Sequence, residues 1–226
     1  MKRVRTLAIV PAAGYGKRLG LKAKKPFVRL CGKPLVSYAL KALDNSDSID
    51  AIIVATEKSC IKKLKDIAVE FKIKKLLDVV PGGSTRAGSV RNCLDRIKDG
   101  FDVVLIHDAA RPLVSSRLIS DSVKAAARFG AAIAAVPESD TVKIVDGGLF
   151  IKDTMDRSKV FRAQTPQAFR MGLIRKAYSA GKMDITDDAG MVERAGVRVK
   201  VIMGSYGNIK VTTREDIKIA EVLLCG

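Results

Sequence analysis

The sequence has no tryptophan, a single histidine, and no aspartate or glutamate anywhere in its first 43 residues. With aromatic residues at only 5%, no basic stripe is interleaved with rings of the kind that stack on nucleic-acid bases. The four cysteines, Cys31, Cys60, Cys93 and Cys225, stand far apart and form no CxxC pair. Neither a zinc site nor a disulfide framework is expected from that spacing, and the reading is free thiols in a reducing compartment. Long apolar runs are missing too. Leu7-Ala8-Ile9-Val10, behind Lys2, Arg3 and Arg5, imitates a signal peptide, but Pro11 breaks it and it runs into Gly14-Tyr15-Gly16-Lys17-Arg18. A buried first strand accounts for it better than secretion or a membrane span, and the cytoplasm is the expected location. Repeats, low-complexity tracts and linker-like stretches are also lacking.

What is present points to a folded enzyme-sized domain. Hydrophobic residues make up 47% of the chain and charged residues 29%, which is too apolar for disorder. A length of 226 residues suits one hydrophobic core, so residues 1–226 read as a single domain. The net charge of +17 first suggests nucleic acid, yet its distribution is narrower than that. Eleven basic residues fall in the acid-free first 43, whereas residues 44–226 carry 30 basic against 24 acidic. The excess sits beside one glycine loop and suits a compact polyphosphate at least as well as a long nucleic acid.

Short apolar runs alternate with segments of helical period, the pattern of a mostly parallel sheet with helices on both faces. Strands are expected at 7–10, 51–55, 75–80, 102–106, 131–136 and 198–203. Helices are expected at 34–45, 58–71, 86–98, 115–129, 168–180 and 213–224, with Pro34 in a first turn, Ser115 or Ser116 as a cap, and Thr212 with Glu215 as a capping box. The run Thr141 to Lys152 breaks the alternation: two short β-type stretches flank Asp146-Gly147-Gly148, hence a hairpin. An isolated hairpin is marginal in water, so residues 139–160 are expected to form an arm that packs on a second copy of the chain.

The first strand ends in Pro11-Ala12-Ala13-Gly14-Tyr15-Gly16-Lys17-Arg18-Leu19-Gly20, small residues whose amides can approach an anion closely. It is neither a Walker A motif nor the dinucleotide fingerprint, and alone it could be a tight turn. Followed by Lys25-Pro26-Phe27 and Gly32-Lys33-Pro34-Leu35, it resembles the opening of nucleotidyltransferases that activate sugars and alcohols with a nucleoside triphosphate. Four further motifs are Gly82 to Val90, His107-Asp108-Ala109-Ala110-Arg111-Pro112, Gln164-Thr165-Pro166-Gln167 and Thr186-Asp187-Asp188-Ala189. With Asn208-Ile209-Lys210-Val211-Thr212 they resemble, in order and over almost the whole chain, the 2-C-methyl-D-erythritol 4-phosphate cytidylyltransferase family.

That resemblance implies a Rossmann-like α/β fold of the nucleotide-diphospho-sugar transferase type with a projecting β-hairpin arm. It also implies a homodimer, and a reaction in which the polyol phosphate attacks the α-phosphorus of CTP and pyrophosphate leaves. A phosphate monoester is mostly deprotonated at neutral pH, its second pKa being about 6, so the nucleophile needs no general base. The transition state needs cations, amides and a metal. By resemblance, Arg18, Lys25 and Lys210 stabilise the phosphates, although Lys210 without its motif would read as a surface lysine. Ala12, Ala13, Gly14 and Gly16, with Gly83 and Ser89, hold CTP. Asp108, at the carboxyl end of the strand 102–106, is the expected Mg²⁺ contact, one carboxylate sufficing because Mg²⁺ keeps waters and phosphate ligands. Arg111 holds substrate, orients Asp108 or forms a structural ion pair; Thr141, Arg157 and Thr186 meet the second substrate, the first two across the dimer. His107 reads as a structural residue. A ribitol-5-phosphate cytidylyltransferase is the nearest alternative, and a basic nucleic-acid-binding protein is the alternative from another class. Neither nucleic acid nor membrane is expected as a partner.

Overall fold

The structure, a computed structural model, describes residues 3–14, 16, 24–180 and 186–225. In chain order the elements begin with β1 (Thr6–Pro11), β2 (Arg29–Leu30), β3 (Lys33–Pro34), α1 (Leu35–Asp44), β4 (Ala51–Thr56), α2 (Ile61–Glu70), β5 (Leu76–Pro81) and α3 (Arg86–Arg96). They continue with β6 (Val103–Ile106), α4 (Ser116–Phe129), β7 (Ala131–Pro137), β8 (Lys143–Val145), β9 (Ile151–Thr154), β10 (Phe161–Arg170), α5 (Met171–Ala180), α6 (Asp188–Arg194), β11 (Lys200–Met203) and α7 (Arg214–Cys225).

Among the described residues, seven strands form one sheet in the order β11-β7-β10-β6-β1-β4-β5. All run parallel except β10, which is antiparallel to both β6 and β7. The run Leu7 to Val10 is fully buried because helices cover both faces of the sheet: Ala8 and Val10 join the layer with α1, α2 and α4, while Leu7 and Ile9 join that with α3, α5 and α6. Such a strand shows a continuous apolar run rather than alternation. α7 lies apart from these layers, against the β2–β3 hairpin, in a third cluster built from Val28, Leu30, Leu35, Ala110, Val211 and Ala220.

The six expected strands are present, with ends shifted by two residues at most. Ser115 is the α4 cap, its side chain accepting from the Leu118 amide. The β8–β9 hairpin forms as expected and leaves Leu149, Phe150 and Ile151 exposed. Other expectations are corrected. Residues 168–170 end β10 rather than open a helix, and α5 starts at Met171. Pro34 precedes the first helical residue of α1, occupying the cap position, and a 3-10 turn at Lys58–Cys60 precedes α2. The α7 capping box lies one residue later than the Thr212–Glu215 pairing. Thr213 Oγ1 accepts from the Asp216 amide, and the Asp216 carboxylate accepts from the amides of Thr212 and Thr213. Finally, Cys31 and Cys225 form a disulfide across 194 residues, while Cys60 and Cys93 remain free and buried. The packing of α7 on the β2–β3 turn creates that pairing, which spacing along the chain could not disclose.

Candidate active site

A cavity of about 660 Å³ opens at the carboxyl ends of β1, β4 and β6, the edge where open α/β sheets bind ligands. Two loops form much of its wall. The first, after β1, brings Ala12, Ala13, Gly14 and Gly16 to the cavity; the second, after β5, brings Gly82, Gly83, Ser84 and Thr85. Both are stitched to β4: the Ala12 amide donates to Ala55 O (2.7 Å) and the Gly82 amide to Thr56 O (2.7 Å). The second loop is then pinned to α3. Ser89 Oγ accepts from the Gly83 amide (3.1 Å) and donates to Thr85 O (3.0 Å), while Thr85 caps the helix through the Gly88 amide. Glycine is required here by contact. A Cβ on Gly82 would lie 2.5 Å from Ala13 Cβ, and one on Gly83 2.7 Å from the Gly88 carbonyl carbon.

Charge converges on the same cavity. Lys25 lines it from a 3-10 turn, Lys25–Phe27, whose preceding residue Lys24 is anchored to Glu57 at 2.6 Å. On the opposite wall Lys210 Nζ lies 2.7 Å from Asp108 Oδ2, and Arg86 Nε lies 2.9 Å from Asp108 Oδ1. Burial alone would raise the Asp108 pKa, but the charges of Arg86 and Lys210 outweigh it and hold the carboxyl far below its ordinary value. Asp108 is therefore a buried anion with both oxygens engaged. Arg86 is balanced in the same way: burial works against its charge, and Asp188 and Asp108 more than restore it. Among the described residues no three His, Cys, Asp or Glu side chains gather into a metal cage.

His107 sits behind this wall, fully buried. Its Nε2 lies 3.1 Å from Arg111 O, a group that only accepts, so Nε2 carries the proton. Nδ1 is then the acceptor for the Thr165 hydroxyl at 3.1 Å, and Thr165 Oγ1 in turn accepts from the Asp108 amide at 3.1 Å. The ring is a neutral spacer that fixes the strand end beneath Asp108, its pKa lowered to about 4, chiefly by burial. Arg111 is buried too and donates from Nη1 to Asn208 O at 2.6 Å, tying the His-Asp-Ala-Ala-Arg-Pro segment to the loop that carries Lys210.

The structure thus gathers Ala12, Ala13, Gly14, Gly16, Lys25, Gly83, Ser89, Asp108 and Lys210 around one cavity. Arg18 lies outside the described residues. Arg111 is packed behind the cavity wall. Thr141 and Arg157 are exposed at the base of the arm, where Arg157 Nη1 donates to Ser139 O (3.1 Å), and Thr186 is exposed just before α6. Arg86 and Thr165 were not singled out from the sequence. Each lies inside a motif, Gly-Gly-Ser-Thr-Arg or Gln-Thr-Pro-Gln, but only their three-dimensional partners reveal what they touch.

Comparison with known proteins identifies the family. The family model described as "IspD: 2-C-methyl-D-erythritol 4-phosphate cytidylyltransferase" matches residues 6–225. The 2-C-methyl-D-erythritol 4-phosphate cytidylyltransferase of Geobacillus thermodenitrificans is 42% identical over 222 residues, covering 97% of this chain and 96% of the relative. That of Geotalea uraniireducens is 41% identical over 227 residues, covering 98% and 97%. The crystal structure of 4-diphosphocytidyl-2C-methyl-D-erythritol synthase from Anaerococcus prevotii superposes with a TM-score of 0.87 at 32% identity, covering 99% of this chain and 97% of that one. Matched by that family model over residues 6–225 and by relatives of about 40% identity over nearly its full length, the chain belongs to the 2-C-methyl-D-erythritol 4-phosphate cytidylyltransferase family.

Proposed function

We propose that this cavity performs the family's reaction with the residues that line it. The chain transfers CMP from CTP to 2-C-methyl-D-erythritol 4-phosphate, giving 4-diphosphocytidyl-2-C-methyl-D-erythritol and pyrophosphate in the non-mevalonate isoprenoid pathway. The observation that carries the assignment of roles is the convergence of Lys25, Lys210 and Asp108 on the cavity walled by the two glycine loops. The amides of Ala12 to Gly16 cradle the nucleotide, and Gly83 and Ser89 shape the place for cytosine. Lys25 and Lys210, joined by Arg18, neutralise charge at the α-phosphorus and on the leaving pyrophosphate. The attacking phosphate arrives deprotonated, and the neutral, enclosed His107 takes no part as a base.

Asp108 fits a divalent cation such as Mg²⁺ that draws most of its ligands from phosphates, since it is a single, firmly ionised carboxylate on the cavity wall beside Lys210. Bound there, the ion would neutralise phosphate oxygens. Arg111, through Asn208, sets the Lys210 loop; Thr186 reaches the polyol phosphate. The chain acts as one domain whose arm, 139–160, crosses to a second copy. Thr141 and Arg157, absent from the cavity wall and set at the base of an arm with exposed Leu149, Phe150 and Ile151, complete the partner's site. Pyrophosphate release should be measured with CTP, UTP, ATP and GTP, each against methylerythritol phosphate, ribitol 5-phosphate and a sugar 1-phosphate. CTP with methylerythritol phosphate should be the productive pair; turnover confined to any other pair would overturn the reading.

A further inference from the structure

Two sequence motifs, Thr186-Asp187-Asp188-Ala189 and Gln164-Thr165-Pro166-Gln167, contribute little to the cavity wall, yet they meet in a buried polar network with Arg86 at its centre. Arg86 is the first residue of α3 and follows directly on the Gly82–Thr85 loop. Nε lies 2.9 Å from Asp108 Oδ1 and Nη1 lies 2.7 Å from Asp188 Oδ2. Its remaining Nη2 is buried with no hydrogen-bond partner, so the two carboxylates are what hold the guanidinium among the described residues.

Asp188 is itself fixed from every side. The Tyr178 hydroxyl donates to Oδ1 at 2.5 Å, Gln167 Oε1 accepts from the amides of Asp188 and Ala189 at 3.1 Å each, and Gln167 Nε2 donates to Asp187 Oδ2 at 2.9 Å. Asp187 then caps α6 through the Gly190 amide. Asp108 has only Oδ2 left for anything in the cavity, and Lys210 shares that oxygen. One side chain therefore joins three parts of the site that are far apart in sequence: the loop beneath the base, the carboxylate beside Lys210, and the segment carrying Thr186.

We propose that Arg86 is a positioning residue that sets the site for the phosphorylated polyol more than for CTP, by holding, through Asp188, the segment that follows Thr186. The proposal rests on the assignment of Thr186 to the polyol phosphate. A planar, forked cation is needed for this task, because lysine presents a point charge and cannot hold two carboxylates in set directions. A merely structural salt bridge would affect folding or both substrates alike.

The test compares wild type, Arg86→Lys, Arg86→Ala and the near-isosteric Asp188→Asn, with Asp108→Asn as control, in the CTP and methylerythritol phosphate assay and by calorimetric titration with CTP. Wild-type turnover and loss of activity in Asp108→Asn establish the underlying reading independently. Expected is a rise of about tenfold or more in KM for methylerythritol phosphate in Arg86→Ala and Asp188→Asn, with CTP affinity changed by less than about threefold. Arg86→Lys should fall short of wild type. Because the Arg86 side chain borders the cavity, millimolar guanidinium should partly restore Arg86→Ala. If Arg86→Ala fails to fold, Asp188→Asn carries the KM comparison alone. Equal weakening of both substrates, or an Asp188→Asn enzyme with unaltered KM, overturns the proposal.

Discussion

At the scale of the residue, His107 is a buried ring held between Thr165 and the Arg111 carbonyl behind the candidate site. With burial pulling its pKa from 6.5 to about 4, the unfolded chain takes up a proton before the folded one does. The stability that follows is intact above pH 6.5, declines as pH falls below it, and is lost by about pH 4; between pH 7 and 5 the decline amounts to about 2 kcal/mol. Since the chain has one histidine, urea unfolding over that interval should isolate the effect, and His107→Gln should flatten the slope. An unaltered slope would show that the imidazole is not the titrating group. Part of the candidate site was legible at this scale, because the glycine loop announces itself through small residues and the region of Lys25 through its excess of basic charge, whereas Lys210 was read only from the resemblance of its motif. Arg86 was not legible: an arginine at the start of a helix looks like any other until Asp108 and Asp188, 22 and 102 positions away, are placed against it.

At the scale of the element, the junction of the second glycine loop with α3 is the part least tolerant of change. Ala in place of Gly83 would press its Cβ against the backbone of Gly88, which is part of a helix capped by Thr85 and cannot yield as a side-chain tip would. Gly83→Ala should therefore lower thermal stability and weaken CTP binding at least tenfold, about 1.4 kcal/mol, while Gly147→Ala, which meets nothing within 4 Å, should do neither. Thermal melts and CTP titration of both variants decide it; normal CTP affinity in Gly83→Ala would mean that the loop can move aside. The inner parallel strands β1, β4, β6 and β7 were legible because burial on both faces leaves unbroken apolar runs. β10 escaped because it is polar where a central strand should be apolar. Gln164, Thr165 and Gln167 are buried there and bond Asn208, His107 and Asp188, and Pro166 falls where the register between Ala163 and Gln167 shifts, the kind of irregularity in which a sheet accepts proline. In this strand a buried polar network replaces the apolar run expected of a central strand.

At the scale of the whole molecule, one long-range feature was beyond local pattern, the closure of the chain by a disulfide. The Cys31–Cys225 bond joins the β2–β3 turn to the C-terminal helix, so thiol titration of the unreduced, denatured chain should find two free groups, and four after reduction. Four before reduction would remove the bond, whereas its presence should make Cys225→Ser less stable by on the order of 2–4 kcal/mol. The arm makes a different demand, because its exposed Leu149, Phe150 and Ile151 gain little from remaining in water. Burial against a second copy would convert the dimer from an accident of surface into a condition of catalysis, and the proposal that Arg157 serves the partner's cavity can be separated from service to its own. Lys210→Ala and Arg157→Ala should each be nearly inactive as pure proteins. When the two are mixed in equal amounts and allowed to exchange subunits, half the dimers are mixed, and in each of these one site combines an intact cavity with an intact arm. Activity should then return to about a quarter of wild type if the arm acts across the dimer. A mixture as inactive as its components would place Arg157 in its own subunit's site, and a Phe150→Asp variant that sediments as a fully active monomer would remove the dimer from the mechanism altogether.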